Sequence, residues 1–487
     1  MVFTSPAFIF LFLPVVLALH AATPARARNM LLLAASLLFY ACGEAGHLWL
    51  LGTLIAANWL AGLALARPEP ALRRAALAGA ILCDLGALAG AKYAAFLAAN
   101  LRAIGIDLPG LAALAHSTMA LPLGISFYVF HALSYVVDVY RGTARPRRNP
   151  FDFALYICFF PQLIAGPIVR YHDIEAMLDR RRITIAIFAS GIERLIIGMG
   201  KKMLLANPLG QIADPVFAAA AGHGLTQGAA WIGVIAYALQ IYFDFSGYSD
   251  MAIGLARMFG FHFLENFNYP YIAASVQEFW RRWHISLSNW FRDYLYIPLG
   301  GSRHGRPRTY ANLVIVFLLC GLWHGAQWNF VLWGALHGAF LAVERAWFAA
   351  RLARLPRLLG QTYTVLVVLA AWVLFRADTL PEAGTIYRAM LGLAHRSAGA
   401  LNAVALLDRQ ARIVLLAGLI GATPALAWTT RDWRARLAQH RGVTLLAAAD
   451  GSLTLQGLRL MLLGTVLLGA LISIASTSYN PFIYFRF

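Results

Sequence analysis

Residues 311–343 form a run of 33 positions without an Asp, Glu, Lys or Arg. As one helix the run would measure about 50 Å, against a hydrocarbon core of about 30 Å. It cannot be a single span, and the polar interruption GLWHGAQWN at residues 321–329 is where it should break into two helices that meet inside the membrane. Arg303, Arg306 and Arg308 precede the run and mark the cytoplasmic side. From Thr309, helical rise carries the chain about 24 Å to His324, which places this imidazole deep. The remainder of the chain is no more soluble in character: 60% of it is apolar and 13% charged, where a soluble protein is roughly a quarter charged. Barrel strands alternate apolar and polar residues; stretches such as LVIVFLLC at 313–320 do not. The chain therefore reads as an all-α polytopic membrane protein, one membrane domain over residues 1–487. It should hold roughly eleven spans plus re-entrant pieces.

Orientation follows from where the basic residues fall. The apolar N-terminus lacks the basic n-region of a secretory signal and reads as a retained first span. Residues 1–6 carry no Lys or Arg, whereas Arg26 and Arg28 follow the first apolar run, so the N-terminus should be periplasmic. Arg67, Arg73 and Arg74, and then RGTARPRR at 141–148, fall on the cytoplasmic side as alternation requires. The next apolar stretch, 153–169, is followed at once by Arg180, Arg181 and Arg182. If both flanks are cytoplasmic the stretch must enter and leave on one side, and Pro161, Gly166 and Pro167 would let it turn. Such a re-entrant hairpin is tolerated only when buried in protein or lining a cavity.

The formal charge of +18 is the excess of basic residues expected in cytoplasmic loops, and no loop is long enough to suggest a nucleic-acid-binding module. Cys42, Cys83, Cys158 and Cys320 sit in apolar runs without CxxC spacing, which argues against structural zinc. No HExxH, P-loop, GxSxG elbow or dinucleotide-binding glycine motif occurs.

Ionisable groups inside a bilayer are costly and are functional candidates by default. One group of them lies in SVQEFWRRWHISLSNWFRDYLYIPLGG, 275–301. As a continuous helix it would place Gln277, Trp280, His284, Leu287 and Phe291 on one face, with Arg281, Ser288 and Arg292 beside it. Its tryptophans and arginines suit the headgroup level, but an interfacial helix needs no histidine on its aromatic face. The second group is the break around His324, where Gly321 and Gly325 would leave room for a substrate and Trp323, Trp328, Asn329 and Trp333 surround the ring. A histidine there can serve as a base near neutral pH. His337, 13 residues on, would not share its face along a continuing helix. Asp244, Ser246, Ser249 and Asp250 in YFDFSGYSD form a polar island that reads either as a turn or helix cap or as a polar route to the histidines.

FFPQLIAGPIVRYHDI (159–174), YFDFSGYSDMAIGLARMFGF (242–261), NFNYPYIAASVQEFWRRWHISLSNWFRDYLYIPLGG (266–301) and GLWHGAQWNFVLWGALHGAFLAVE (321–344) together resemble the membrane-bound O-acyltransferase family. The resemblance is strongest to its bacterial alginate O-acetyltransferase branch. It is dense over residues 121–344, with weaker agreement at WVLFRAD (372–378) and PFIYFRF (481–487). It implies a helical membrane enzyme whose funnel and tunnel meet at a buried catalytic histidine. His324 matches that histidine in its LWHG context, and His284 matches the second histidine in the WHISL context. On this resemblance we expect Trp280, Trp283, Trp328, Asn329 and Asp250 to contact substrate; separately, the basic clustering of Lys201 and Lys202 with Arg303, Arg306 and Arg308 beside the histidine segments reads either as attraction of the donor's phosphates at a cytoplasmic mouth or as simple positive-inside anchoring. We also expect no tightly bound cofactor. Acetyl-CoA would be the cytoplasmic donor, and an exported polysaccharide or a periplasmic or membrane-anchored partner acetyltransferase the recipient, in a bacterial inner membrane. Relatives with similar cores act on alginate, cellulose or peptidoglycan, and a distant branch handles D-alanine; nothing in the sequence specifies the polymer. A transporter or flippase for a lipid-linked glycan is the rival reading, which the lack of an internal repeat disfavours. An inactive subunit of an export complex is a third, against which the two intact histidines argue.

Overall fold

The computed structural model describes residues 1–111, 121–222, 224–394, 400–425, 447–477 and 479–481. Every regular element among them is helical, and their β pairing is confined to an isolated bridge between Leu225 and Leu401. Five apolar stretches are long enough to cross a membrane: Ala25–Leu65, Pro70–Ala103, Gln227–Met258, Arg357–Arg376 and Gly457–Ser476. The first is broken at Glu44, where the backbone leaves helical geometry at φ −146°. The other apolar runs form shorter helices, among them Ile125–Arg141, Gly305–His324 and Trp328–Val343. A further apolar run, 413–428, and the terminal PFIYFRF lie partly outside the described residues.

Four basic segments gather at one end of the bundle. Arg147 contacts both Asp152 (3.5 Å) and Asp179 (2.8 Å). Asn29 donates to Asp152 (2.7 Å) and to the Leu178 carbonyl (2.9 Å), and accepts from Arg181 (2.6 Å). Arg73 reaches the Tyr140 carbonyl at 2.8 Å. The two flanks of residues 153–169 therefore sit together, as a re-entrant path requires. The chain goes in as the helix Pro150–Cys158, turns through Phe160–Leu163 and returns without helix past Gly166, whose φ of +109° suits a residue without a Cβ. Tyr156 Oη donates to the Val169 carbonyl at 3.0 Å, tying the inward limb to the outward one. Residues 155–169 are all buried in protein, as backbone of this kind at membrane depth requires.

The uncharged run does break where its length demands. Gly305–His324 and Trp328–Val343 form an antiparallel hairpin whose tip is residues 325–327. A Cβ on Gly321 would fall 2.2 Å from the Phe330 carbonyl oxygen, and one on Gly334 would fall 2.2 Å from that of Phe317, so the two helices touch backbone to backbone. These glycines thus admit the partner helix, not a substrate. The Phe330 ring likewise fills the space a side chain at Gly325 would take.

Residues 275–301 are not one helix. Val276–Trp280 ends at Arg281, and a new helix, Ile285–Phe291, starts after His284 adopts φ 43°, ψ 55°. A left-handed conformation at a non-glycine residue is unfavourable and is held here by tertiary hydrogen bonds. The continuous helix inferred from spacing does not exist; Gln277, Trp280, Leu287 and Phe291 still line one cavity across the break, whereas fully buried His284 does not line it.

Candidate active site

His324 is the last residue of its helix; Gly325 has extended backbone (φ −164°). The end of a helix leaves carbonyls without intrahelical partners. Here they are met by a half-buried amine and a phenol, Lys92 and Tyr93, from within the second apolar stretch. Lys92 Nζ donates to the Trp323 carbonyl (2.5 Å), the His324 carbonyl (3.3 Å) and Ser126 Oγ (3.3 Å), and Tyr93 Oη donates to the Leu322 carbonyl (2.8 Å). A lysine at a helix C-terminus is well suited to hydrogen-bond the last carbonyls. The imidazole itself stands in an aromatic cage, with ring centroids 4.8 Å from Trp323, 5.1 Å from Trp333 and 5.1 Å from Phe375.

His284 is fully buried, edge-on to Phe245 at 4.6 Å, and the Trp323 ring packs near both it and His324. Asn266 positions it. The Asn266 carbonyl oxygen accepts from the Ser286 backbone N–H (3.1 Å), Ser286 Oγ (2.9 Å) and His284 Nδ1 (3.2 Å), while its amide donates to Ser249 Oγ (3.1 Å). Because the backbone N–H of Ser286 can only donate, the amide orientation is fixed, and His284 must carry its proton on Nδ1. Nε2 is then the ring's acceptor. The polar island thus reaches the histidine through Ser249 and Asn266.

Two cavities approach His324 from opposite ends of the bundle. One, of about 400 Å³, is walled by Trp280, Phe317 and Cys320 and edged by Arg281 and Arg292, at the end where the basic segments gather. The other, of about 430 Å³, begins at Gly325 and includes Lys92, Gln240, Gln327, Phe375 and Arg376. His324 itself lines neither; Cys320, one helical turn before it, lines the first and Gly325, the residue after it, the second, so along the chain the histidine sits at the partition between the two linings.

The structure distributes the other anticipated residues unevenly. Trp280 and Trp283 are buried around the histidines, Trp283 packing on Trp372 at 4.9 Å. Trp328 points outward, 52% exposed and bonded to Asn100, while buried Asn329 donates to the Ala377 carbonyl at 2.6 Å and so fixes the hairpin tip to the neighbouring helix. Asp250 pairs with Arg194 and Lys201, each at 2.7 Å, and Lys202 with Asp244 at 2.6 Å. Arg303 is exposed just ahead of the hairpin, and no hydrogen bond or ion pair among the described residues joins it to either lysine. His337 and Lys92 escaped the sequence reading. His337 lies 4.9 Å from Trp333 and accepts from Trp280, because the hairpin folds it back beside the partition. Lys92 could have been found as a cation inside an apolar run. Among the described residues no three His, Cys, Asp or Glu side chains converge on a metal position.

A family model described as MBOAT, membrane-bound O-acyltransferase family, matches residues 125–378, which include both histidines. The chain is 41% identical over its full length, and the full length of the relative, to a protein of Azotobacter vinelandii named "Probable alginate O-acetylase AlgI". It is 36% identical to a peptidoglycan O-acetyltransferase of Helicobacter pylori, over 81% of this chain and 80% of the other. A teichoic acid D-alanyltransferase of Streptococcus thermophilus is similar at 29% identity over 46% of this chain and 57% of its own.

Proposed function

This chain belongs to the membrane-bound O-acyltransferase family and is a membrane acyltransferase, and we propose that it moves acetyl from a cytoplasmic thioester, acetyl-CoA, toward an exported polysaccharide of the alginate kind. The observation that carries this reading is the position of His324 at the partition of two cavities opening toward opposite ends of the bundle. The end edged by Arg281 and Arg292 faces the cytoplasm of a bacterium on the positive-inside argument, with the N-terminus periplasmic. Exposed Arg281 suits the phosphates of a nucleotide donor better than Lys201 and Lys202, whose charges are taken up by Asp250 and Asp244, and better than Arg292, which pairs with Asp293. The acceptor hydroxyl, of a glycan or of a periplasmic or membrane-anchored partner acetyltransferase, enters by the second cavity. His324 takes the hydroxyl proton as the oxygen attacks the acetyl carbon, the tetrahedral oxyanion collapses, and the thiolate leaves with that proton. His284, an acceptor at Nε2, orients the reacting groups.

The test is acetyl ester content of the exported polymer, with membrane abundance measured alongside, in strains lacking any second acetyltransferase. Base catalysis is worth about 10²- to 10⁴-fold, so His324→Ala should lose at least about 10²-fold while inserting normally, and His284→Ala should be impaired less severely. Normal acetylation by a well-expressed His324→Ala protein would sink the assignment.

A further inference from the structure

The helix Trp328–Val343 carries two buried N–H groups that no acceptor among the described residues satisfies. Trp280 Nε1 donates to His337 Nδ1 at 3.2 Å. An indole nitrogen only donates, so Nδ1 is the acceptor and neutral His337 carries its proton on Nε2. That Nε2–H is fully buried and has no partner among the described residues, and the same is true of the Trp333 indole N–H. The residues are one helical turn apart and share a face. Their rings are 4.9 Å from each other, and the Trp333 ring is 5.1 Å from that of His324. Buried N–H groups in folded proteins are almost always paired. Two orphans side by side next to the base are donors held ready for an oxygen that arrives with the substrate.

We propose that the Trp333 Nε1–H and the His337 Nε2–H form the oxyanion hole of the acetyl transfer; this rests on the thioester-to-hydroxyl reading given above. Trp280 and Phe317, which pack on His337, also wall the cavity at the arginine-edged end, so the pair lies behind that wall, on the side toward His324. As the acceptor oxygen bonds to the acetyl carbon and gives its proton to His324, the carbonyl π pair moves onto oxygen, where both N–H groups donate to it. Collapse restores the C=O bond, breaks the C–S bond and returns the proton from His324 to the departing thiolate. The surrounding Phe279, Phe317 and Trp280 exclude water, which strengthens both bonds at the moment charge develops. His284 cannot supply this interaction while neutral, since its one N–H is committed to Asn266.

The experiment uses inverted membrane vesicles of the producing strain, with radiolabelled acetyl-CoA as the donor probe and label in the polymer as the rate. Trp333→Phe keeps the ring and removes the N–H; His337→Phe does the same for the imidazole; His337→Gln keeps an N–H. Removing one oxyanion donor lowers kcat by about 10²- to 10³-fold, so the two Phe variants should show that loss with the KM for acetyl-CoA unchanged. His337→Gln should recover a large part of it. Purified unmodified protein should also bind a trifluoroacetonyl thioether of CoA, whose hydrated ketone mimics the tetrahedral state, more tightly than the ethyl thioether, and Trp333→Phe should lose that preference. A Trp333→Phe protein with unmodified kcat, or one impaired only in KM, would overturn the proposal, and this arm decides even if His337→Phe fails to accumulate. Absence of any His324-dependent label transfer by the unmodified protein would overturn the acetyl-transfer reading itself, a result distinguishable from normal transfer by Trp333→Phe.

Discussion

Asn266→Ala is the substitution whose effect can be worked out most fully from the geometry. The side chain makes four hydrogen bonds, three accepted by its carbonyl and one donated, and is 1% exposed. A typical hydrogen bond contributes about 0.5–1.5 kcal/mol net, so four together contribute about 2–6 kcal/mol. The upper half of that range applies, because alanine leaves the Ser286 backbone N–H buried without its Asn266 acceptor, at about 1–3 kcal/mol, and takes from His284 Nδ1 the nearer of its two partners, Asn266 at 3.2 Å against Ser286 Oγ at 3.5 Å. Part of the loss is offset as His284 relaxes from its left-handed backbone, a strain of about 1–3 kcal/mol. The net is a destabilisation of about 3 kcal/mol, concentrated where the chain turns at His284. Asn266→Asp keeps the acceptor for His284 Nδ1 and lets Ser249 donate instead, so the tautomer survives. Thermal unfolding of the purified protein in detergent should therefore show Asn266→Ala lowered by several degrees and Asn266→Asp much less. Polymer acetylation, normalised to abundance, should fall in the same order. An Asn266→Ala protein as stable and as active as the unmodified one would refute the positioning role.

Lys92→Met keeps the length of the side chain but uncaps the His324 helix, and because a misplacement of about 1 Å can cost about 10²-fold in rate, acetylation should fall by about that factor with normal insertion; unchanged acetylation would exclude Lys92 from the site. His172 accepts its charge readily because its hydrogen bond to Asp138 raises its pKa against the opposing effect of burial. With the folded pKa above the unfolded value of about 6.5, the pair's stabilisation is complete below that pH and is lost as pH rises through the raised value. The thermal advantage of the unmodified protein over His172→Gln should accordingly shrink from pH 6 toward pH 8, and a gap that does not change with pH would contradict the assignment. Single cysteines placed in the loops at 26–28 and 141–148 should resist membrane-impermeant reagents applied from the periplasm; labelling of both from that side would reverse the proposed orientation.

Much of this architecture is visible in the sequence because bilayer thickness is an external ruler. The 33-residue run had to break, and GLWHGAQWN was the place with glycine and polar side chains to make the break. The return of residues 153–169 to their own side followed from basic residues on both flanks, which Arg147 and Asn29 now hold together. The helix drawn through 275–301 went wrong for a specific reason. Every residue from Val276 to Ile297 favours or tolerates helix locally, and the turn at His284 is imposed by Asn266, 18 positions earlier, which no local pattern reports. The donor phosphates were assigned to Lys201 and Lys202 by charge alone, whereas charge in a helical bundle is spent on whichever carboxylate the packing brings near, here Asp250 and Asp244.

His337 shows most clearly what spacing along a chain leaves out. Thirteen residues after His324, it falls on a different face of any continuous helix and was set aside for that reason. Breaking the helix at the tip of a hairpin changes the relevant distance from 13 residues along one axis to the gap between two antiparallel helices, which the facing Gly321 and Gly334 make small. The same break that shortens an overlong span to fit the bilayer therefore folds a second histidine and Trp333 back beside the first. It also frees the carbonyls that Lys92 and Tyr93 cap, so that His324 stands at a fixed helix end and not on the side of a helix that lipid fluctuations could rotate. Span length, the site of the break, the cap and the cluster of imidazoles are thus consequences of one constraint, and a change that moved the break by even one residue would disturb all of them together.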